Sequence, residues 1–139
     1  MADQMKVNLH QISVSASEAE FRDHRVRIDR PVSKGGSDAG PMGGELFLAA
    51  VGGCFTSNLL AAIRARDARI SDVKVEVTAV VDGTPSKFVS MELLVSAQGE
   101  DLGRLDKLIQ IAERGCIMIN TLQGNVPVTA RIHATAAAS

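Results

Sequence analysis

The stretch LFLAAVGGCFTSNLLAAI, residues 46–63, is the most apolar run in the chain, and its reading decides the fold. Gly52, Gly53, Thr56, Ser57 and Asn58 interrupt it, and it is marginally short for a membrane span, so it reads as a core helix. From about Glu45 to Arg66 good helix formers occupy nearly all sides, which predicts a helix surrounded by protein rather than one lying on a surface. Arg64, Arg66 and Arg69 gather near its end, where cations complement the helix dipole.

Upstream, KGGSDAGPMGG (residues 34–44) concentrates the local backbone breakers and reads as a loop delivering the chain into that helix. Before it, residues 5–14 and 21–29 read as strands, the second alternating His24, Val26 and Ile28 with Arg25, Arg27 and Asp29. SASEAE between them reads as a polar turn. Downstream, Val73, Val75, Val77, Ala79 and Val81 alternate with mainly polar neighbours, as do Met91, Leu93, Val95 and Ala97. Asp82-Gly83-Thr84-Pro85 supplies a hairpin turn between them.

Asp101 is placed to cap a second helix, in which Leu102, Leu105, Leu108, Ile109, Ala112 and Cys116 recur at three- and four-residue spacing. Val126, Val128, Ala130 and Ile132 then alternate as a last strand, followed by a tail, ATAAAS, that reads as frayed. The order ββ–α–ββ–α–β predicts an α+β domain with a mostly antiparallel sheet and two core helices. Residues 1–139 read as a single domain, within the usual size of one folding unit.

Charge and composition exclude several classes of function. A formal net charge of -1 creates no broad field for nucleic acid or an anionic membrane. Tryptophan and tyrosine are absent and phenylalanine occurs four times, so the aromatic platforms of single-strand binders are missing. No nucleic-acid or membrane partner is expected. The N-terminal stretch has no apolar core behind a basic start, which points to the cytoplasm.

Two cysteines in a reducing compartment argue against a structural disulfide and leave a catalytic or sensing pair open. Cys54 follows Gly52 and Gly53, whose missing side chains allow close approach of a backbone or a substrate. Each cysteine also has a plain reading as a small core hydrophobe. Spacing does not establish that Cys54 and Cys116 meet, although helices packed together would allow it. No C-x-x-C occurs, and His10, His24 and His133 stand apart on predicted strands, so no metal site is expected. The glycine-rich segment fits neither phosphate-binding pattern, and no cofactor is expected.

Three segments, taken in order and separation, carry a resemblance: Gly35-Gly36-Ser37-Asp38-Ala39-Gly40-Pro41, then Glu45-Leu46-Phe47-Leu48-Ala49-Ala50-Val51-Gly52-Gly53-Cys54, then Ala112-Glu113-Arg114-Gly115-Cys116. Over roughly residues 20–132 the chain resembles the OsmC/Ohr family of thiol-dependent peroxide-handling proteins. The resemblance implies an OsmC-like fold and an intertwined homodimer. It implies that Cys54 attacks the peroxide and Cys116 resolves the product, with Ile117 where proline often follows. It further implies an arginine from the N-terminal hairpin beside the reactive sulfur, with Arg25 and Arg27 the candidates. A glutamate at the start of the long helix would hold that arginine. Its place in the hydroperoxide-resistance branch falls on Gly44, with Glu45 one position later.

The expected activity is thus reduction of an organic hydroperoxide through a Cys54/Cys116 dithiol-disulfide cycle, reset by an external dithiol reductant. A nucleophilic cysteine needs an adjacent cation because an ordinary thiol is mostly protonated at neutral pH. Met42, Phe47, Leu48, Val51 and Phe55 are candidates to line the approach to Cys54. Two other classes compete: an OsmC-like protein without peroxidase activity that binds a small apolar ligand, and a disulfide exchanger acting on other proteins. The second would need an exposed nucleophile, against the apolar setting of Cys54.

Overall fold

A computed structural model describes residues 2–133. The tail ATAAAS lies outside the described residues. The chain gathers into two compact units, Met1–Phe47 and Leu48–Ser139. The boundary falls inside the long helix.

In the first unit, β1 (Asn8–Gln11), β2 (Ser17–Phe21) and β3 (His24–Ile28) form an antiparallel sheet in that order. The expected turn SASEAE therefore contains most of a strand. Its composition hides this, because Glu18 and Glu20 oppose Arg27 and Arg25 across the β2–β3 ladder while Ala19, between them, is buried. Opposite charges directly across a ladder stabilise strands that alternation of apolar residues would not reveal. The true turn is shorter. The Ile12 N–H donates to Ala16 O at 3.0 Å, and the Ala16 N–H donates to Ser13 Oγ at 2.9 Å.

After β3 the loop folds around one carboxylate. Asp29 is only 3% exposed and accepts N–H donors from Arg30 (2.7 Å), Ser37 (3.0 Å) and Ala39 (3.1 Å). Gly36 and Gly40 make that wrapping fit. A methyl group added at Gly36 would land on the Arg30 carbonyl oxygen, and one at Gly40 on that of Arg27.

Helix α1 (Gly43–Ala65) begins in the first unit and runs into the second. By length and composition it is apolar enough to cross a membrane. It is not buried on all sides as expected. Val51, Phe55, Leu59, Ala62 and Ile63 form one buried stripe at three- and four-residue spacing, while Leu60 is 47% exposed.

In the second unit, β4 (Ser71–Asp82), β5 (Lys87–Gln98) and β6 (Val128–Ile132) form a sheet in that order. Strands β4 and β5 pair antiparallel, whereas β5 and β6 run parallel from Met91↔Val128 to Val95↔Ile132. The parallel pair exists because the intervening helices carry the chain back to the sheet's other end, the crossover that such pairing needs. Met91, Leu93, Val95 and Ala97 alternate into the core, where α1 approaches β4 closely at Gly52 and Val77.

Helix α2 (Leu105–Gly115) buries Leu105, Leu108, Ile109 and Ala112. Two local expectations differ here. Asp101 makes no side-chain cap; its Oδ2 instead accepts the Arg69 N–H at 2.7 Å, tying the end of β5 to the segment after α1. Cys116 is not on the face of α2 but in extended backbone (φ -82°, ψ 111°) between α2 and a short α3 (Ile117–Leu122). Glycine at 115 is a poor helix former at the point where the helix stops.

Candidate functional site

The two cysteines meet inside the second unit. Cys54 is half-buried on α1, Cys116 is fully buried at the α2–α3 break, both are free thiols, and the Cys54 thiol is close enough to act on the titration of Cys116. Gly115 faces α1 at this point. A methyl group there would sit 3.5 Å from Nδ2 of Asn58, one turn beyond Cys54 on α1.

Burial pushes the Cys116 thiol up from its ordinary range, and its contact with the Cys54 sulfur adds to the rise. Backbone N–H groups of Ile119 and Met118 act in the opposite sense. The pair is therefore asymmetric: Cys54 is half-buried, while Cys116 is enclosed and its protonated form is favoured.

Of the five residues singled out from sequence, Cys54 and Cys116 are brought together within the second unit. Glu45 accepts the Met42 N–H on Oε1 at 2.9 Å. That is the returning half of a capping box, a glutamate at the third helical position satisfying the residue that precedes the helix. Arg25 Nη1 and Arg27 Nε each lie 3.8 Å from Glu18 within the first unit's sheet. Of the residues expected to line the approach to Cys54, Val51 and Phe55 are fully buried and belong to the core, whereas Met42, Phe47 and Leu48 are partly exposed.

His10 does not stand apart. Its ring nitrogens lie 4.0 Å from carboxylate oxygens of Glu18 and Glu20, a spacing that would admit a cation. Arg25 and Arg27 already bring positive charge to Glu18, so the group reads as a charged sheet face. A separate cleft of about 530 Å³ opens beside α2, α3 and β6, with Glu113, Arg114, Asn120 and Gln123 among its walls. Burial raises the Glu113 carboxyl above its usual range, and the charge of Asp106 adds to this.

Two residues escaped the reading of the sequence. Asp29 organises the glycine-rich loop, and only its place at the end of an alternating strand hinted at it. Asn58 counted merely as an interruption of the apolar run, yet its Nδ2 is buried with no hydrogen-bond partner among the described residues.

The comparisons with known proteins agree with this architecture. An OsmC-like protein from Mycoplasma pneumoniae superimposes with a TM-score of 0.82 at 16% identity, over 96% of this chain and 98% of that one. An organic hydroperoxide resistance protein OsmC from Legionella pneumophila gives 0.73 at 20% identity, over 96% and 99%. One from Elizabethkingia anophelis gives 0.72 at 18%, over 96% and 100%. No curated protein matches the chain. The family described as OsmC-like protein matches residues 33–131, from the Asp29-anchored loop through α1 and both cysteines to the end of the second sheet, and the chain belongs to that family.

Proposed function

We propose that the protein is a thiol-dependent peroxidase that reduces organic hydroperoxides in oxidative stress defence. The juxtaposition of Cys54 and Cys116 carries this reading. The Cys54 thiolate attacks the O–O bond, forming an S–O bond as the O–O bond breaks. The alkoxide leaves and takes a proton to become the alcohol, and the sulfur is oxidised to a sulfenic acid. The Cys116 sulfur then attacks the Cys54 sulfur, the S–S bond forms, and the oxygen departs as water with the Cys116 proton. An external dithiol restores both thiols by exchange.

The division of roles follows burial: the accessible Cys54 meets the substrate, and the enclosed, protonated Cys116 waits. Half-exposed Phe47 and Leu48, within about two turns before Cys54, favour an organic over a hydrophilic peroxide. The exposed apolar side of α1 favours a homodimer, and the cytoplasm is the compartment that keeps the thiols reduced.

The test is stoichiometric. Reduced protein mixed with cumene hydroperoxide should lose both thiols and two hydrogens in mass. Cys54→Ser should consume no peroxide, and Cys116→Ser should stop at a trappable sulfenic acid.

One observation favours a second reading. Arg25 and Arg27 are engaged by Glu18, and Glu45 by the Met42 N–H, so each group that would activate a thiolate has another partner. An OsmC-like protein that binds a small apolar ligand without peroxidase activity would keep both thiols under the same peroxide challenge.

A further inference from the structure

Asn58 is four residues after Cys54 on α1, on the same face of the helix, and helical side chains lean back toward the N-terminus over the preceding turn. Its amide lies against Gly115, the residue before Cys116. Its Nδ2 is shut off from solvent and has no acceptor among the described residues. An amide donor enclosed without a partner is rare in folded proteins, and its lack of one calls for an explanation. The one here is that its acceptor arrives with the reaction.

We propose that the Asn58 amide is a catalytic hydrogen-bond donor to the departing oxygen of the hydroperoxide, the one left behind when Cys54 takes its neighbour. The inference rests on the peroxidase reading and deepens it. As the sulfur attacks, the transferred oxygen keeps its hydrogen and becomes that of the sulfenic acid, while the O–O bond breaks and negative charge gathers on the departing alkoxide oxygen. A fixed N–H beside that position stabilises the charge where it develops and needs no rearrangement to do so. The donor moves no proton. The alkoxide still takes its proton from solvent, and the transferred oxygen still leaves as water when Cys116 condenses. Thr56, two residues from Cys54, is not the donor, because its hydroxyl donates to the Gly52 carbonyl at 2.6 Å.

The experiment compares two reactions of Cys54 in the reduced full-length protein. Oxidation by cumene hydroperoxide delivers an oxygen to the sulfur, whereas alkylation by iodoacetamide does not. Asn58→Leu keeps the bulk and removes the donor, and Asn58→Ala removes it with the best helix former. In a Cys116→Ser background the trapped sulfenic acid counts the first step alone. The expected result is oxidation slowed about tenfold in both variants, the worth of one hydrogen bond, with alkylation within about twofold of the parent.

Equal slowing of both reactions would show that Asn58 serves packing, and an unchanged oxidation rate would show that no oxygen meets the amide. Either outcome overturns the proposal while leaving the peroxidase reading in place. If the parent protein itself leaves the peroxide intact, both fall together, and that case is distinguished because no substitution is needed to see it.

Discussion

At Cys116, burial and the neighbouring sulfur both favour the protonated thiol, so folding holds its titration above the ordinary value. The folded state then binds more protons than the unfolded chain once pH exceeds the unfolded value, ~8.5. Its contribution to stability is complete below that pH and is lost as pH rises through the folded value. Thermal unfolding of the reduced protein should therefore fall more steeply above pH ~8.5 than that of Cys116→Ala. Parallel curves would mean that the thiol titrates alike in both states. A second prediction concerns Arg25 and Arg27, whose exposed pairs with Glu18 contribute at most about 1 kcal/mol each. Arg25→Met and Arg27→Met should leave the melting temperature nearly unchanged. If the family's cation is one of them, that variant alone should slow peroxide consumption by more than about tenfold.

The loop between β3 and α1 shows how an element without regular structure is held. The Asp29 carboxyl is pushed up by burial, but N–H groups of Ala39, Arg30 and Ser37 outweigh this and lower it below the usual range. The loop's anchorage is thus complete above about pH 4 and is lost as pH falls through the lower folded value. The glycines permit the close wrapping, so Gly36→Ala should destabilise by about 1–3 kcal/mol as the added methyl meets backbone. Urea unfolding measures this. A midpoint unchanged from the parent would show that the loop moves aside freely. Helix α1 starts where this loop ends, and Glu45 closes its first turn.

At the scale of the molecule, α1 has two unlike sides. One side carries the buried stripe of Val51, Phe55 and Leu59, while the other shows solvent Leu60 among small residues. A second copy of the chain would cover that side, and this supports the proposed homodimer. Sedimentation should give about twice the 14.7 kDa chain mass, and Leu60→Glu should weaken association at least tenfold. A parent chain that sediments at its own mass across the micromolar range would remove the dimer.

Periodic segments were legible from sequence because their signal is local. The apolar run of α1, the alternation of β4 and β5 and the apolar face of α2 each declare their own geometry, and together they imply the α+β class. Strand β2 was hidden because its charges are answered by β3, a partner that periodicity within one segment does not show. The same limit applies to the site. The chain order marks Cys54 and Cys116 as candidates, but the break that turns Cys116 toward α1, the carboxylate inside the loop and the unanswered amide of Asn58 exist only once distant segments touch. Proximity between groups remote along a chain is a property of packing, and tertiary structure alone decides it.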